Sequence, residues 1–121
     1  MGFYYALRGV LYAFSERNIR FHYFFSLFVI AAGIYFDITL IEWMFIVISI
    51  FSTLSAEMMN TALERVVNII RDDLGAKYEL LGAPKDIAAG AVLMISLGSG
   101  FVGVKIFLPR IIDLLNSLSI L

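Results

Sequence analysis

A chain of 121 residues that is 61% hydrophobic and 16% charged, with a mean hydropathy of +0.92, carries more apolar surface than a soluble domain of its size can bury. Lipid is therefore the solvent for most of it, and the predicted class is all-α integral membrane. A net charge of −1 argues against a nucleic-acid partner, the lack of cysteine removes disulfides and thiol chemistry, and one histidine argues against a histidine-built zinc site.

The first residues, MGFYYALRGVLYAF, have no basic cluster ahead of the apolar part and no small-residue cleavage site, so no signal peptide is expected. MGFYYA also lacks the Ser or Thr that a myristoylation signal needs at its sixth position. Residues 3–20 mix Arg8, Glu16, Arg17 and Arg20 with Tyr, Phe and Leu, which predicts an amphipathic helix lying along the membrane surface. Residues 21–36, FHYFFSLFVIAAGIYF, form a first span that borrows a turn from its flanks. A second span with a cytoplasmic extension is predicted over 40–70, with Glu42 at its outer end. Residues 71–86, RDDLGAKYELLGAPKD, hold an Asp-Asp pair, two glycines and a proline and are predicted to be a polar connection. The third span, 87–108, has 22 residues with Lys105 as its one charge, above the roughly 20 that a crossing needs. Pro109 is predicted to break it, leaving 109–121 as a short amphipathic tail.

Seven of the nine basic residues, Arg8, Arg17, Arg20, Arg65, Arg71, Lys77 and Lys85, precede span one or lie between the interior of span two and the start of span three. The connection DITLIE has none. The N-terminus and the second connection are therefore expected in the cytoplasm, with the C-terminus, Lys105 and Arg110 on the outer side.

The most informative stretch is AEMMNTALERVV, residues 56–67, which follows directly on the apolar run of span two. At about 100° per residue, Glu57, Asn60, Thr61, Glu64 and Asn68 fall within an arc of roughly 100°. Hydrogen-bonding glue between helices would explain Asn60 and Thr61. It does not call for two carboxylates, which are costly beside hydrocarbon. Glu16 on the surface helix and Lys85-Asp86 before span three share the same membrane level. Carboxylates suit Mg²⁺, and a lysine suits phosphate. The chain has no GxxxxGK[ST] loop, so phosphoryl transfer here would be unlike that of P-loop enzymes. A cation pathway lined by an oligomer's carboxylates is the non-enzyme alternative.

Simpler roles are expected elsewhere. His22 reads as interfacial packing or a headgroup contact and Trp43 as an interface anchor. Gly90, Gly98 and Gly103 read as close helix packing, and Arg65 and Arg71 as orientation charges.

AEMMNTALERVV, with SERNIRFH before it and APKDIAAGAVL after it, resembles the prokaryotic diacylglycerol kinase family of small integral-membrane lipid kinases, in its undecaprenol kinase-like branch. The resemblance covers residues 3–108. It implies a homotrimer of three-span subunits with composite active sites, in the plasma membrane with the site on the cytoplasmic side. It also implies transfer of the γ-phosphoryl of Mg-ATP to a lipid alcohol, undecaprenol or alternatively diacylglycerol. Glu57 matches the family's general base, at the lipid hydroxyl, and Asn60 a residue orienting the site. Glu16 and Glu64 match the carboxylates that hold Mg²⁺ on ATP. Lys85 matches a phosphate contact, Asp86 and Tyr4 residues near the nucleotide, and Arg20 an arginine near the lipid. Asn68 and Tyr78 stand where aspartate and histidine are usual.

Overall fold

A computed structural model describes the backbone of residues 2–74 and 78–120, with side chains throughout except at 74, 78–81 and 120. Among these residues there are four helices and no strand: α1 (Phe3–Ala13), α2 (Arg17–Tyr35), α3 (Leu40–Leu74) and α4 (Tyr78–Ile120). α3 and α4 are long and apolar enough to cross a membrane. The 19 residues of α2, which contain all but the last residue of the expected first span, include Arg17, Arg20 and His22, and α2 is not among them.

At about 1.5 Å per residue, the 35 residues of α3 extend roughly 52 Å. A hydrocarbon core of about 30 Å leaves the last turns of that helix outside it. Glu57 lies at the middle of this helix and Glu64 in its C-terminal half.

Three predicted boundaries are corrected. The surface helix does not reach residue 20: α1 stops at Ala13, and Arg17 to Arg20 open α2. The Ser15 hydroxyl bonds the Tyr12 carbonyl at 2.7 Å, and the Arg20 guanidinium donates to the carbonyls of Phe14 (3.1 Å) and Ser15 (3.4 Å). These side chains satisfy carbonyls that a continuous helix would have used. Second, the polar connection of 71–86 is largely helical, since α3 continues to Leu74 and α4 starts at Tyr78. Lys77 lies outside the described residues. Third, α4 passes through both Pro84 and Pro109, so 109–121 is not a separate piece. A proline removes one helix hydrogen bond, a loss that neighbouring groups can offset in membrane helices. Beside Pro109, the Arg110 guanidinium bonds the Ile106 carbonyl at 2.7 Å.

The turn between α2 and α3 places Asp37 at φ 51°, in the left-handed region. Thr39 then caps α3 reciprocally: its backbone N–H donates to Glu42 Oε1 at 2.9 Å, and its hydroxyl accepts from the Glu42 N–H at 3.2 Å. Glu42 also takes two bonds from Arg110, at 2.8 and 2.7 Å, which fastens α3 to α4 at this end. Nearby, Ile38, Ile46 and Ile106 form the buried cluster, with Val29, Phe36 and Phe107 against it. Midway along the same helix pair, the Thr53 and Ser99 hydroxyls meet at 3.1 Å.

Trp43 is not a free interface anchor but packs on this cluster, with its ring over Gly33 of α2. A Cβ at Gly33 would lie 2.7 Å from Trp43 Cη2 and 3.2 Å from Ile38 Cδ1. By contrast, a Cβ at Gly90, Gly98 or Gly103 would meet nothing within 4 Å, so close packing at those glycines does not occur within the chain. Gly33→Ala is therefore expected to destabilise the fold by about 1–3 kcal/mol, the usual cost of overpacking. Gly98→Ala should be close to neutral. Thermal unfolding of both variants in detergent is the check, and equal midpoints would refute the Trp43 slot.

Candidate functional site

Glu57, Asn60, Thr61, Glu64 and Asn68 are all half-buried on α3, while Met59, Ala62 and Val66 are exposed. The stripe thus faces the other helices. Its members have distinct partners. Glu57, with a side chain 13% exposed, points at α2, where His22 Nε2 lies 3.1 Å from its Oε1. Asn60 Nδ2 donates to Glu64 Oε1 one turn on, at 3.3 Å. Asn60 Oδ1 is buried and has no hydrogen-bond partner among the described residues, which is uncommon for a buried carbonyl oxygen.

Glu16 occupies the N-cap position of α2, at the bend after α1, with an extended backbone. From there its carboxylate pairs with Arg65 of α3. Arg65 also donates to Tyr12 Oη at 3.1 Å and lies over the Tyr12 ring, 5.2 Å from its centroid. These contacts hold the surface helix against α3. They correct the reading of Arg65 as an orientation charge alone, because the guanidinium is engaged by two groups of another segment. Between α1 and α3 lies an open cleft of about 460 Å³ lined by Tyr5, Arg8, Glu16, Thr61 and Arg65 among others. Most of its lining is apolar; Arg65 there is already paired with Glu16, and Arg8 is the second cation on its wall.

A second cleft, of about 640 Å³, lies between α2, α3 and α4. Phe25, Phe28, Ile50 and Phe107 make its walls apolar, and His22 is among its lining residues. The two clefts meet different stretches of α3, the first over residues 58–65 and the second over residues 46–54.

The remaining expected site residues are less gathered. Lys85 is half-buried and Asp86 exposed near the start of α4, and neither forms an ion pair among the described residues. Tyr4 is 68% exposed and packs edge-on to Tyr5, at 5.3 Å between ring centroids. Arg20, expected near a lipid substrate, here holds the α1–α2 bend. The side chain of Tyr78 lies outside the described residues. Glu16 and Glu64, expected to share a metal, have different partners, Arg65 and Asn60. No group of three or more His, Asp or Glu side chains placed to hold a metal occurs among the described residues.

The contact that residue spacing alone did not predict is His22–Glu57. The two lie 35 positions apart, and only the register of α2 on α3 brings them together. The one local signal was a histidine placed just inside an apolar span.

Residues 4–107 match the model of the prokaryotic diacylglycerol kinase family. Undecaprenol kinase of Bacillus subtilis is 38% identical over 97 residues, covering 80% of this chain and 76% of that protein. Diacylglycerol kinase of Synechocystis sp. is 36% identical over 117 residues, covering 95% of this chain and 65% of that protein. No solved structure matches.

Proposed function

From the premise that the chain belongs to the prokaryotic diacylglycerol kinase family, and is therefore a membrane lipid kinase, we propose that it moves the γ-phosphoryl of Mg-ATP onto undecaprenol. Diacylglycerol is the second acceptor to consider, because one relative carries that name and the chemistry at the hydroxyl is the same. The observation that carries the reading is the position of Glu57: a carboxylate 13% exposed on α3, paired with His22, which lines the apolar cleft between α2, α3 and α4. In this reading a lipid alcohol reaches Glu57 past His22, and the charged nucleotide lies toward Arg8 and Lys85.

Glu57 is the general base that takes the hydroxyl proton. Glu64, with Glu16, would hold the Mg²⁺ of Mg-ATP. Mg²⁺ takes hard oxygen donors and keeps several waters, and the Glu64 carboxylate beside the partnerless Asn60 Oδ1 fits that preference. When bound, the ion offsets charge on the β- and γ-phosphates. Glu16 is engaged by Arg65 and joins Glu64 only by giving up that partner or from a neighbouring subunit. Lys85 adds a positive charge for phosphate, and Asp86 and Tyr4 flank the nucleotide. Arg20 lies toward the lipid headgroup. The working form is a homotrimer with composite sites, α2 completes three spans per subunit, and the site faces the cytoplasm of a plasma membrane protein.

The deciding experiment gives the purified protein γ-labelled ATP with undecaprenol and diacylglycerol in separate reactions. A higher kcat/KM on undecaprenol is expected. The reverse order would reassign the acceptor, and label in neither lipid would sink the kinase reading for this chain.

A further inference from the structure

The geometry points to His22 as the residue that positions Glu57 for proton abstraction, an inference that rests on the lipid-kinase reading above. His22 Nε2 is 3.1 Å from Glu57 Oε1. An ionised carboxylate only accepts hydrogen bonds. When Glu57 is ready to act as a base, the proton of this bond is therefore carried by Nε2. One carboxylate oxygen is then tied to α2, and Oε2 remains for the substrate. A glutamate side chain has three rotatable bonds, and fixing one of its oxygens from a second helix confines the other to a small region.

His22 sits in the second turn of α2, where its backbone carbonyl accepts the Ser26 hydroxyl at 2.7 Å, and its ring meets that of Phe21 edge-on at 5.8 Å. It is 24% exposed against 13% for Glu57, and it lines the apolar cleft between α2, α3 and α4. A lipid chain lying in that cleft passes the imidazole on its way to the carboxylate, so His22 stands at the junction of the apolar route and the base. In the chemical step the lipid O–H bond breaks and the proton moves to Glu57 Oε2. The lipid oxygen bonds the γ-phosphorus, and the bond from that phosphorus to the bridging oxygen of ADP breaks. Throughout, the Nε2–H bond to Oε1 stays in place and His22 changes neither charge nor tautomer. The proton leaves Glu57 for water after the phosphorylated lipid departs.

Three readouts test this in the full chain, with a lipid shown to be phosphorylated by the unaltered protein. His22→Phe keeps an aromatic ring but removes the donor. It is expected to lower kcat by about 10- to 100-fold, the range for a hydrogen bond to a charged group. The KM for Mg-ATP should stay within about twofold. His22→Gln, whose amide nitrogen can occupy the place of Nε2, should recover most of that loss. In a Glu57→Gln background, His22→Phe should cost little more, because a residue that acts through Glu57 has nothing left to position. Unchanged kcat in His22→Phe, a Gln variant as poor as Phe, or an equal penalty in the Glu57→Gln background would each overturn the inference. His22 is the only histidine of the chain. Its ¹⁵N imidazole spectrum in the unaltered protein therefore gives a measurement that needs no variant to fold. A proton on Nε2 is expected, and the Nδ1–H tautomer would overturn the assignment. Failure of the unaltered protein to phosphorylate any lipid is a separate outcome, and it counts against the kinase reading.

Discussion

Glu57→Gln is expected to slow lipid phosphorylation by about 10²- to 10⁴-fold while leaving Mg-ATP binding within about twofold of the unaltered protein. The substitution is nearly isosteric. The Gln oxygen still accepts the His22 Nε2–H at the place of Oε1, so the α2–α3 contact and the packing around it survive. What disappears is basicity, because a carboxamide oxygen does not take a proton from an alcohol in this pH range. General-base assistance is worth about 10²- to 10⁴-fold, and kcat should fall by that amount. Binding should not follow, because in the proposed division of labour Glu64, Glu16 and Lys85 take the metal and phosphates while Glu57 meets the lipid hydroxyl. Labelled-ATP turnover and equilibrium nucleotide binding, measured on the same preparation, separate the two effects. Full turnover in Glu57→Gln would remove the general-base role. Loss of binding together with turnover would mean that Glu57 belongs to the nucleotide site.

Which features were legible in the sequence depended on the distance over which each is determined. The stripe of Glu57, Asn60, Thr61, Glu64 and Asn68 needs only the 3.6-residue period of one helix, and all five side chains are half-buried toward the protein. The all-helical class needed only composition. Pairings between helices are a different matter. His22–Glu57 spans 35 positions and Glu16–Arg65 spans 49, and each depends on how one helix slides and turns on another. Nothing in the local spacing encodes that. Trp43 was misread because the slot that receives it is made by the missing side chain of Gly33, ten residues away in another helix. The prolines misled for a physical reason: rules learned in water treat Pro84 and Pro109 as stops. In α4 the helix continues, and beside Pro109 the Arg110 guanidinium reaches the Ile106 carbonyl within the same turn. Arg110 had been read only as an outer-side charge. In the structure it also ties α4 to Glu42 of α3.

Glu64→Gln should behave in the opposite way to Glu57→Gln, with the damage falling on Mg-ATP binding. The Gln oxygen can still accept from Asn60 Nδ2, which is 3.3 Å from Glu64 Oε1, so the local bond along α3 is retained. The lost quantity is one full negative charge next to the buried, partnerless Asn60 Oδ1. A neutral oxygen pair holds a divalent cation far less firmly than a carboxylate does, since Mg²⁺ gives up bound water reluctantly and favours charged donors. The KM for Mg-ATP is expected to rise about 10- to 100-fold, one to two powers of ten for the loss of a single charged ligand. Raising free Mg²⁺ should recover part of the activity, because mass action compensates for a weaker ion site. The same addition should do nothing for Glu57→Gln, whose defect is in proton transfer. Titrating Mg²⁺ against both variants at fixed ATP therefore tests the division of labour between two carboxylates two turns apart on one helix. If Glu64→Gln bound Mg-ATP as tightly as the unaltered protein, or if excess Mg²⁺ rescued both variants alike, the assignment of base and metal ligand along α3 would be wrong.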